Sequence, residues 1–205
     1  MGDKLCILDY GSGNVGSVFN MFSTIMDRVV VSNRPPDLIS STHIILPGVG
    51  AFGSAMEKIK KTIPLDVLEE EVLRKGKPFL GICVGMQVLA DKGFEFGECK
   101  GLGWISGTVE KMESGDFSLP HVGWNNIEVS RQTKLFEGLS DNQDFYFVHS
   151  YVFKEKNSND AAAKTDYGEK FTSVVARDNI FGVQFHPEKS QKAGRIILKN
   201  FLDIK

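Results

Sequence analysis

A cysteine between two glycines is the feature of this sequence best suited to chemistry. Cys83 stands in Gly81-Ile82-Cys83-Val84-Gly85, directly after an apolar run and before a helical pattern. This layout is typical of a nucleophile elbow, a tight turn from a strand into a helix. Glycine neighbours leave room for the turn because they carry no Cβ, and free N–H groups at the helix start favour the thiolate. The pattern predicts a nucleophile, with the N–H of Val84 directed at the oxyanion. The alternative is a small buried cysteine behind a core strand.

A thiolate nucleophile also needs a general base. The candidates are the four histidines of the chain, His43, His121, His149 and His186. His186 ends an apolar run and is followed by Pro187 and Glu188. Proline stiffens the turn, so Glu188 can orient the imidazole, and we predict that these two residues complete a triad with Cys83. A strand-end histidine beside a surface glutamate would give the same pattern. The first histidine better fits a structural position, whereas the two central ones remain open as bases.

Two more glycine-rich segments are suited to binding anions. In Leu46-Pro47-Gly48-Val49-Gly50 an apolar strand ends at two glycines, where consecutive N–H groups can form a nest. The Val49–Gly50 peptide could therefore supply the second donor of an oxyanion hole. The segment Gly11-Ser12-Gly13-Asn14-Val15-Gly16 matches the G-x-G-x-x-G pattern of dinucleotide-binding proteins. The next strand ends in Arg34 with no acidic residue, which leaves only an NADP-binding alternative, and that alternative does not explain Cys83 or His186.

The composition excludes several other classes of function. The chain has 205 residues, of which 41% are hydrophobic and 24% charged, and its formal net charge is -2. This balance gives no electrostatic reason to expect nucleic acid or an anionic membrane as partner. No apolar run approaches the ~20 residues that span a bilayer. Three widely spaced cysteines indicate neither a disulfide framework nor a structural zinc site. We therefore expect a cytoplasmic protein without metal or cofactor.

The first half of the chain alternates strands with helices, and these must position the candidate residues. Apolar or β-branched runs predict strands over 5–8, 29–31, 43–46 and 78–82. Helical patterns lie between and after them, over 14–26, in two stretches before 75, and over 84–90. This order is typical of a parallel sheet with helices on both faces.

The second half has a different pattern. Short alternating runs predict strands over 103–109, 123–129, 145–153, 173–176 and 180–185. Residues 154–170 are polar and should include an exposed turn, and an amphipathic helix is predicted over 189–202. We therefore predict an α/β fold in one domain over residues 1–205. Its central sheet is mixed and mostly parallel, flanked by helices, with smaller antiparallel strands in the second half.

Several motifs together make the chain similar to a known family. The elbow continues as Gly81-Ile82-Cys83-Val84-Gly85-Met86-Gln87, and the base lies in Gln184-Phe185-His186-Pro187-Glu188-Lys189-Ser190. Further matching segments are Asp9-Tyr10-Gly11-x-Gly13-Asn14, Pro47-Gly48-Val49-Gly50-Ala51-Phe52, Pro120-His121-x-Gly123-Trp124-Asn125 and Phe145-Tyr146-Phe147-Val148-His149-Ser150-Tyr151. They resemble the class I, triad-type glutamine amidotransferases. Within these, the chain is similar to the glutaminase subunits of imidazole glycerol phosphate synthase.

The resemblance implies a role for each matching residue. Cys83 would attack the amide of L-glutamine, and His186, oriented by Glu188, would pass a proton to the leaving ammonia. The oxyanion hole would use the N–H of Val84 and one from the Val49–Gly50 peptide. Glutamine would be held by Gln87 and by the backbone around Ser150 and Tyr151. Five residues would lie at or near a partner interface: His121, Trp124, Asn125, Tyr146 and Lys189. Simple core packing is the alternative for Trp124 and Tyr146.

The resemblance also implies a partner. In this family a (β/α)₈ barrel synthase subunit forms a heterodimer with the glutaminase and receives the ammonia through a channel. The products are imidazole glycerol phosphate and an aminoimidazole carboxamide ribonucleotide, in histidine biosynthesis. Val84 and Val122 replace an expected leucine and methionine, and Ser12 and Trp104 are atypical, but none belongs to the triad. The alternatives are an ammonia-supplying subunit for bacterial surface-sugar biosynthesis and a catalytically idle regulatory subunit.

Overall fold

The computed structural model of the chain describes residues 2–140 and 143–205. The strands in chain order are β1 (Leu5–Ile7), β2 (Val29–Val31), β3 (His43–Gly48), β4 (Phe79–Cys83), β5 (Lys92–Gly93), β6 (Cys99–Lys100), β7 (Gly107–Lys111), β8 (His121–Asn126), β9 (Glu128–Val129), β10 (Asp144–His149), β11 (Tyr151–Glu155), β12 (Ala161–Tyr167), β13 (Glu169–Arg177) and β14 (Ile180–Val183).

The helices surround these strands. They are α1 (Val15–Ser23), α2 (Pro35–Ser40), α3 (Phe52–Thr62), α4 (Leu65–Glu69), α5 (Val84–Gln87) and α6 (Gln191–Leu202). A π-helical turn, Glu70–Arg74, continues α4, and 3₁₀ turns lie at Lys134–Phe136, Ser158–Asp160 and Pro187–Lys189. Among the described residues no helix combines the length and apolar character needed to cross a bilayer.

Five parallel strands form the centre of the large sheet, in the order β2-β1-β3-β4-β14. Every residue of β3 and of β4 is buried. Both strands are continuous apolar runs because helices cover both faces of a parallel sheet. The carboxyl ends of β3 and β4 lie side by side, with Gly48 paired to Cys83. This places the Val49–Gly50 segment next to the turn that carries Cys83.

Mostly antiparallel strands extend the sheet beyond β14, although β5 pairs with β7 in parallel. The order continues β13-β11-β7-β5-β6, and β12 pairs with β13 and β9 outside this path. A separate two-stranded sheet joins β8 and β10. The predicted α/β class is thus confirmed: a mixed sheet, parallel at its centre, with antiparallel strands from the second half of the chain.

Two local predictions were wrong, and a third segment contains a strand that was not predicted. The helix after the nucleophile stops at Gln87 rather than residue 90, because the carbonyls of residues 88–90 accept hydrogen bonds from the backbone N–H groups of residues 102–104. The predicted strand 145–153 is two strands, β10 and β11, in different sheets and separated by Ser150. The polar segment 154–170 contains β12 as well as the exposed turn, which is confined to residues 156–159.

Candidate active site

Cys83 lies at the turn between β4 and α5 in a backbone conformation that few non-glycine residues adopt, with φ 55° and ψ −114°. Its neighbours must be glycines. A Cβ on Gly85 would overlap the backbone carbonyl of Leu46, and one on Gly81 would overlap the carbonyl of Gly85. The close approach of β3, β4 and α5 therefore requires both glycines and holds the cysteine in its strained conformation, as in a nucleophile elbow.

His186 follows β14, the strand that pairs with β4, so the base lies beside the nucleophile. Its Nδ1 lies 2.8 Å from Oε1 of Glu188, whose side chain is fully buried. The backbone of His186 is held as well, because its N–H donates to the carbonyl of Tyr146 at 2.8 Å and its carbonyl accepts from the Ser190 hydroxyl at 2.6 Å. The imidazole thus has a fixed orientation, in which Nδ1 bonds to Glu188 and Nε2 remains for the hydrogen bond to Cys83.

The electrostatics of this pair favour an imidazolium. Burial by itself lowers the pKa of His186, but hydrogen bonds to the Cys83 thiol and to Glu188 outweigh that effect and raise the pKa to about 10. A buried carboxylate therefore stabilises positive charge on the ring, and the ring in turn lies within hydrogen-bonding reach of the thiol. The arrangement is suited to a thiolate–imidazolium pair.

The three residues predicted for an oxyanion hole lie together around the nucleophile. Val84 is the first residue of α5, where N–H groups have no partner within the helix. Val49 and Gly50 follow the end of β3 beside Cys83, and Gly50 has a φ of +95°. All three line the cleft that contains the sulfur. Their positions suit the stabilisation of an oxyanion formed by attack of that sulfur.

The cleft at Cys83 has a volume of about 500 Å³. Gln87, Ser150 and Tyr151, predicted to bind substrate, all line it. Nε2 of Gln87 donates to the carbonyl of Tyr151 at 3.0 Å and to Oε1 of Gln184 at 3.0 Å. The amide nitrogen of Gln87 is therefore held by two acceptors.

Sequence reasoning missed three functional candidates. Gln184 is fully buried, and its Nε2 lies 3.7 Å from Sγ of Cys83. Asn14 donates to Oε1 of Glu188 at 3.2 Å. Glu95 lines the cleft and accepts from the N–H of Phe52 at 2.8 Å. A period of two continued from the predicted strand 180–185 could have indicated Gln184, because it precedes His186 by two positions. No local pattern indicates Glu95.

Three of the five residues expected near a partner lie in one surface region. Trp124 is 48% exposed and packs edge-on against Tyr146, with ring centroids 5.9 Å apart. Nζ of Lys189 lies over the Tyr146 ring at 5.6 Å. Val122, two residues before Trp124, is 55% exposed. Its strand partner Val148 lines the cleft, so the apolar strip runs toward Cys83.

The other two residues expected near a partner lie deeper. The His121 side chain is buried and stacks against Tyr167 with ring centroids 3.9 Å apart. Asn125 donates to the carbonyl of Asp166 at 2.9 Å. The His121 ring is therefore not part of the exposed surface, although its strand also carries the exposed Val122 and Trp124. Side chains alternate across a strand, so His121 faces inward while Val122 faces outward.

The glycine motif near the N-terminus has a packing role. A Cβ on Gly13 would lie 3.1 Å from the Pro47 carbonyl oxygen, and Asn14 in the same motif contacts the triad carboxylate. Gly13 of the motif thus packs against Pro47, which precedes the Val49–Gly50 peptide, and Asn14 holds the Glu188 carboxylate. Among the described residues, no group of three or more His, Cys, Asp or Glu side chains could hold a metal ion.

Comparison with known proteins agrees with this geometry. A solved glutamine amidotransferase has a TM-score of 0.75 to this chain at 17% identity, covering 97% of each chain, which shows the fold. The model of the family "Glutamine amidotransferase class-I" matches residues 6–204.

Two relatives in sequence carry the same name. The imidazole glycerol phosphate synthase subunit HisH 1 of Campylobacter jejuni (strain RM1221) is 42% identical over 199 residues, covering 97% of this chain and 98% of that protein. The corresponding HisH subunit of Pelagibacter ubique (strain HTCC1062) is 43% identical over 207 residues, covering 98% of this chain and 100% of that protein. The chain therefore belongs to the class-I glutamine amidotransferase family and, within it, to the imidazole glycerol phosphate synthase HisH subunits.

Proposed function

We propose that this chain hydrolyses L-glutamine to glutamate and ammonia for a synthase partner in histidine biosynthesis. One observation carries the proposal. Cys83 occupies a strained strand-to-helix turn beside His186, and Nδ1 of His186 lies 2.8 Å from Oε1 of the buried Glu188 carboxylate. That arrangement supplies a nucleophile, a proton carrier and a group that orients the carrier.

The first half of the reaction breaks the amide bond. The Cys83 sulfur attacks the side-chain carbonyl carbon of glutamine, and the electron pair of the C=O bond moves to oxygen. N–H groups of Val84 and of the Val49–Gly50 peptide receive that oxyanion. When the intermediate collapses, His186 transfers its proton to the departing nitrogen. Ammonia leaves, and a glutamyl thioester remains on the sulfur.

The second half restores the enzyme. His186, now neutral, removes a proton from water, whose oxygen attacks the thioester carbon. The same oxyanion donors hold the second tetrahedral intermediate. Collapse breaks the C–S bond, releases glutamate and returns the thiolate–imidazolium pair. Glu188 keeps the ring in one tautomer throughout, because its Oε1 accepts from Nδ1.

The charges of the cleft suit a free amino acid. Among the residues that line it, Glu95 carries a negative charge and Lys111 a positive one. A free α-amino acid carries both an ammonium and a carboxylate, so the two side chains complement the two ends of the glutamine backbone. Gln87 and the Ser150–Tyr151 backbone line the same cleft and are the proposed binding groups for the rest of the substrate.

The partner we propose is a (β/α)₈ barrel synthase subunit that receives the ammonia in a heterodimer. The apolar strip formed by Val122, Trp124, Tyr146 and Val148, with Lys189 beside it, is the docking face. It begins at the cleft and is more apolar and aromatic than a surface that faces only water. In the complex, ammonia would pass through the partner to form imidazole glycerol phosphate and an aminoimidazole carboxamide ribonucleotide.

The test is glutamate release from glutamine, measured for the chain alone and with the barrel synthase of the same organism loaded with its nucleotide substrate. We expect strong stimulation by the loaded partner and none in Cys83→Ala. The matched control is Cys99→Ala, because Cys99 is a second, half-buried cysteine outside the cleft.

The outcomes separate the components of the proposal. Loss of activity in Cys99→Ala as well as in Cys83→Ala would argue against a specific nucleophile. Activity that needs Cys83 but ignores the synthase would keep the glutaminase and assign its ammonia to another acceptor, such as a surface sugar.

A further inference from the structure

A continuous chain of hydrogen bonds connects strand β8 to the floor of the cleft. Nδ1 of His149 lies 3.1 Å from the carbonyl of Tyr151, and its Nε2 lies 3.1 Å from Nδ1 of His121. Nε2 of His121 lies 3.5 Å from Nδ2 of Asn125. The Tyr151 carbonyl also accepts from Gln87, so it receives two donors. This series of hydrogen bonds therefore ends at the Tyr151 carbonyl and the Gln87 amide, the groups that we propose for binding glutamine.

The donor and acceptor properties of these groups fix the direction of every hydrogen bond in the series. A carbonyl oxygen can only accept, so the proton of His149 must lie on Nδ1. Nε2 of His149 is then an acceptor, and His121 must donate to it from its own Nδ1. Nε2 of His121 is left as the acceptor for the Asn125 amide. Both rings are thus neutral and have the proton on Nδ1.

The surroundings keep the two rings neutral and fixed. His121 is stacked on Tyr167 and on Phe147, at 3.9 and 5.0 Å between ring centroids. Phe171 packs edge-on against both histidines. Burial lowers the pKa of His121 to about 4, and burial together with the nearby His121 lowers the pKa of His149 to about 3. An aromatic box therefore holds the pair in one arrangement.

We propose that His121 is a positioning residue for glutamine: it donates to His149 and so holds the Tyr151 carbonyl and the Gln87 amide in their substrate-binding positions. The proposal rests on the function proposed above. His121 touches no reacting atom, so its effect passes through two hydrogen bonds. It acts on binding groups that serve the ground state and the transition state alike, which predicts a change in KM rather than in kcat.

The test compares two substitutions of His121 in the complex with the synthase partner. His121→Phe keeps a flat ring between Tyr167 and Phe147 but removes the donor and leaves Nε2 of His149 unpaired. We expect the KM for glutamine to rise about tenfold and kcat to change less than about threefold. His121→Asn places an amide N–H near the position of the lost Nδ1 and should return the KM to within about threefold of the original.

The control for packing is Phe171→Leu, which loosens the same aromatic box without touching a hydrogen bond. It should lower the unfolding temperature and leave the KM for glutamine unchanged. An unchanged KM in a folded His121→Phe variant, or an equal rise in Phe171→Leu, would overturn the proposal.

A second measurement does not depend on any variant folding. Two-bond ¹H–¹⁵N spectra of the ¹⁵N-histidine-labelled protein report which nitrogen of each ring carries the proton. We expect both His121 and His149 to show the Nδ1–H tautomer, which is the minor form in free histidine. A proton on Nε2 of either ring would overturn the proposal. If the unmodified complex does not hydrolyse glutamine, the proposed function is wrong, whereas the tautomer measurement remains valid.

Discussion

The side-chain amide nitrogen of Gln184 lies 3.7 Å from the sulfur of Cys83. The nucleophile therefore has an N–H donor in addition to His186. The same amide accepts from Gln87 through its oxygen, so its orientation is defined. A buried donor beside sulfur stabilises the thiolate and restrains its direction, and this makes Gln184 a member of the reactive centre rather than core filling.

Gln184→Met should slow the enzyme because methionine has a similar length but no N–H group. We expect alkylation of Cys83 by iodoacetamide and kcat/KM for glutamine each to fall about 10- to 100-fold. The control is Ser173→Ala, since the Ser173 carbonyl accepts from the backbone N–H of Gln184 while its buried hydroxyl has no hydrogen-bond partner among the described residues. A Gln184→Met variant that is alkylated at the original rate would show that the amide does not act on the sulfur.

Gly85→Ala should both destabilise the fold and inactivate it, because the added Cβ would overlap the Leu46 carbonyl. We expect a loss of about 3 kcal/mol or more in the free energy of unfolding, measured by urea titration. Gly16→Ala is the matched control. Gly16 is exposed in helix α1 with open space around its Cβ position, so alanine should stabilise by about 0.4–1 kcal/mol. Equal effects of the two changes would contradict the elbow geometry.

Gly50→Val should impair catalysis with little change in glutamine binding. Valine at a φ of +95° is strained, so the Val49–Gly50 peptide would turn and withdraw its donor from the oxyanion. We expect kcat to fall by about 10²–10³. Gly76→Val introduces the same kind of strain at φ +72° on an exposed loop and should reduce stability without reducing kcat. Partner-stimulated kcat that stays normal in Gly50→Val would exclude the peptide from the oxyanion hole.

Acid should destabilise the protein before its carboxylates titrate. The pKa of His121 and His149 is lowered in the fold to about 4 and about 3, whereas both have a pKa near ~6.5 when unfolded. Below pH ~6.5 the unfolded chain binds protons at these two histidines that the folded chain does not bind, so each of the two lowers the free energy of unfolding by up to ~1.4 kcal/mol per pH unit. The raised pKa of His186 gives a smaller opposite contribution between pH 7 and 5. Urea titrations between pH 7 and 5 measure this slope. His121→Phe should make it shallower, and an unchanged slope would contradict the burial of a neutral ring.

The strand–helix alternation of the first half was predictable because parallel strands buried on both faces are continuous apolar runs. Helix length was not. Whether α5 continues past Gln87 depends on backbone partners from residues 102–104, which lie in a different segment. Strand β12 was missed for a related reason: its alanines are small and flanked by polar residues, and its pairing with β13 and β9 overrides the weak local preference.

The proximity of Cys83, His186 and Glu188 was predictable from local motifs, because each of these candidate residues lies at or just after a strand end with a recognisable turn. The positions of the surrounding polar groups were not predictable, since they depend on hydrogen bonds and packing with residues far away in the sequence. Glu95 reaches the cleft by accepting from Phe52, and no spacing rule connects those two positions. His121 has a surface motif around it, yet strand alternation turns its ring into the aromatic box.

The position of β14 has a consequence for biosynthesis of the chain. This strand lies between β4 and β13 in the middle of the sheet, and the residue just after it, Gln184, is 101 positions from Cys83. A ribosome therefore exposes the cysteine long before it makes the strand that pairs with β4. Until then β4 has a bare edge, and the thiol has neither imidazole nor amide beside it. A nascent or prematurely terminated chain therefore has the thiol without the imidazole that pairs with it, and its open strand edge makes it a target for chaperones and proteases.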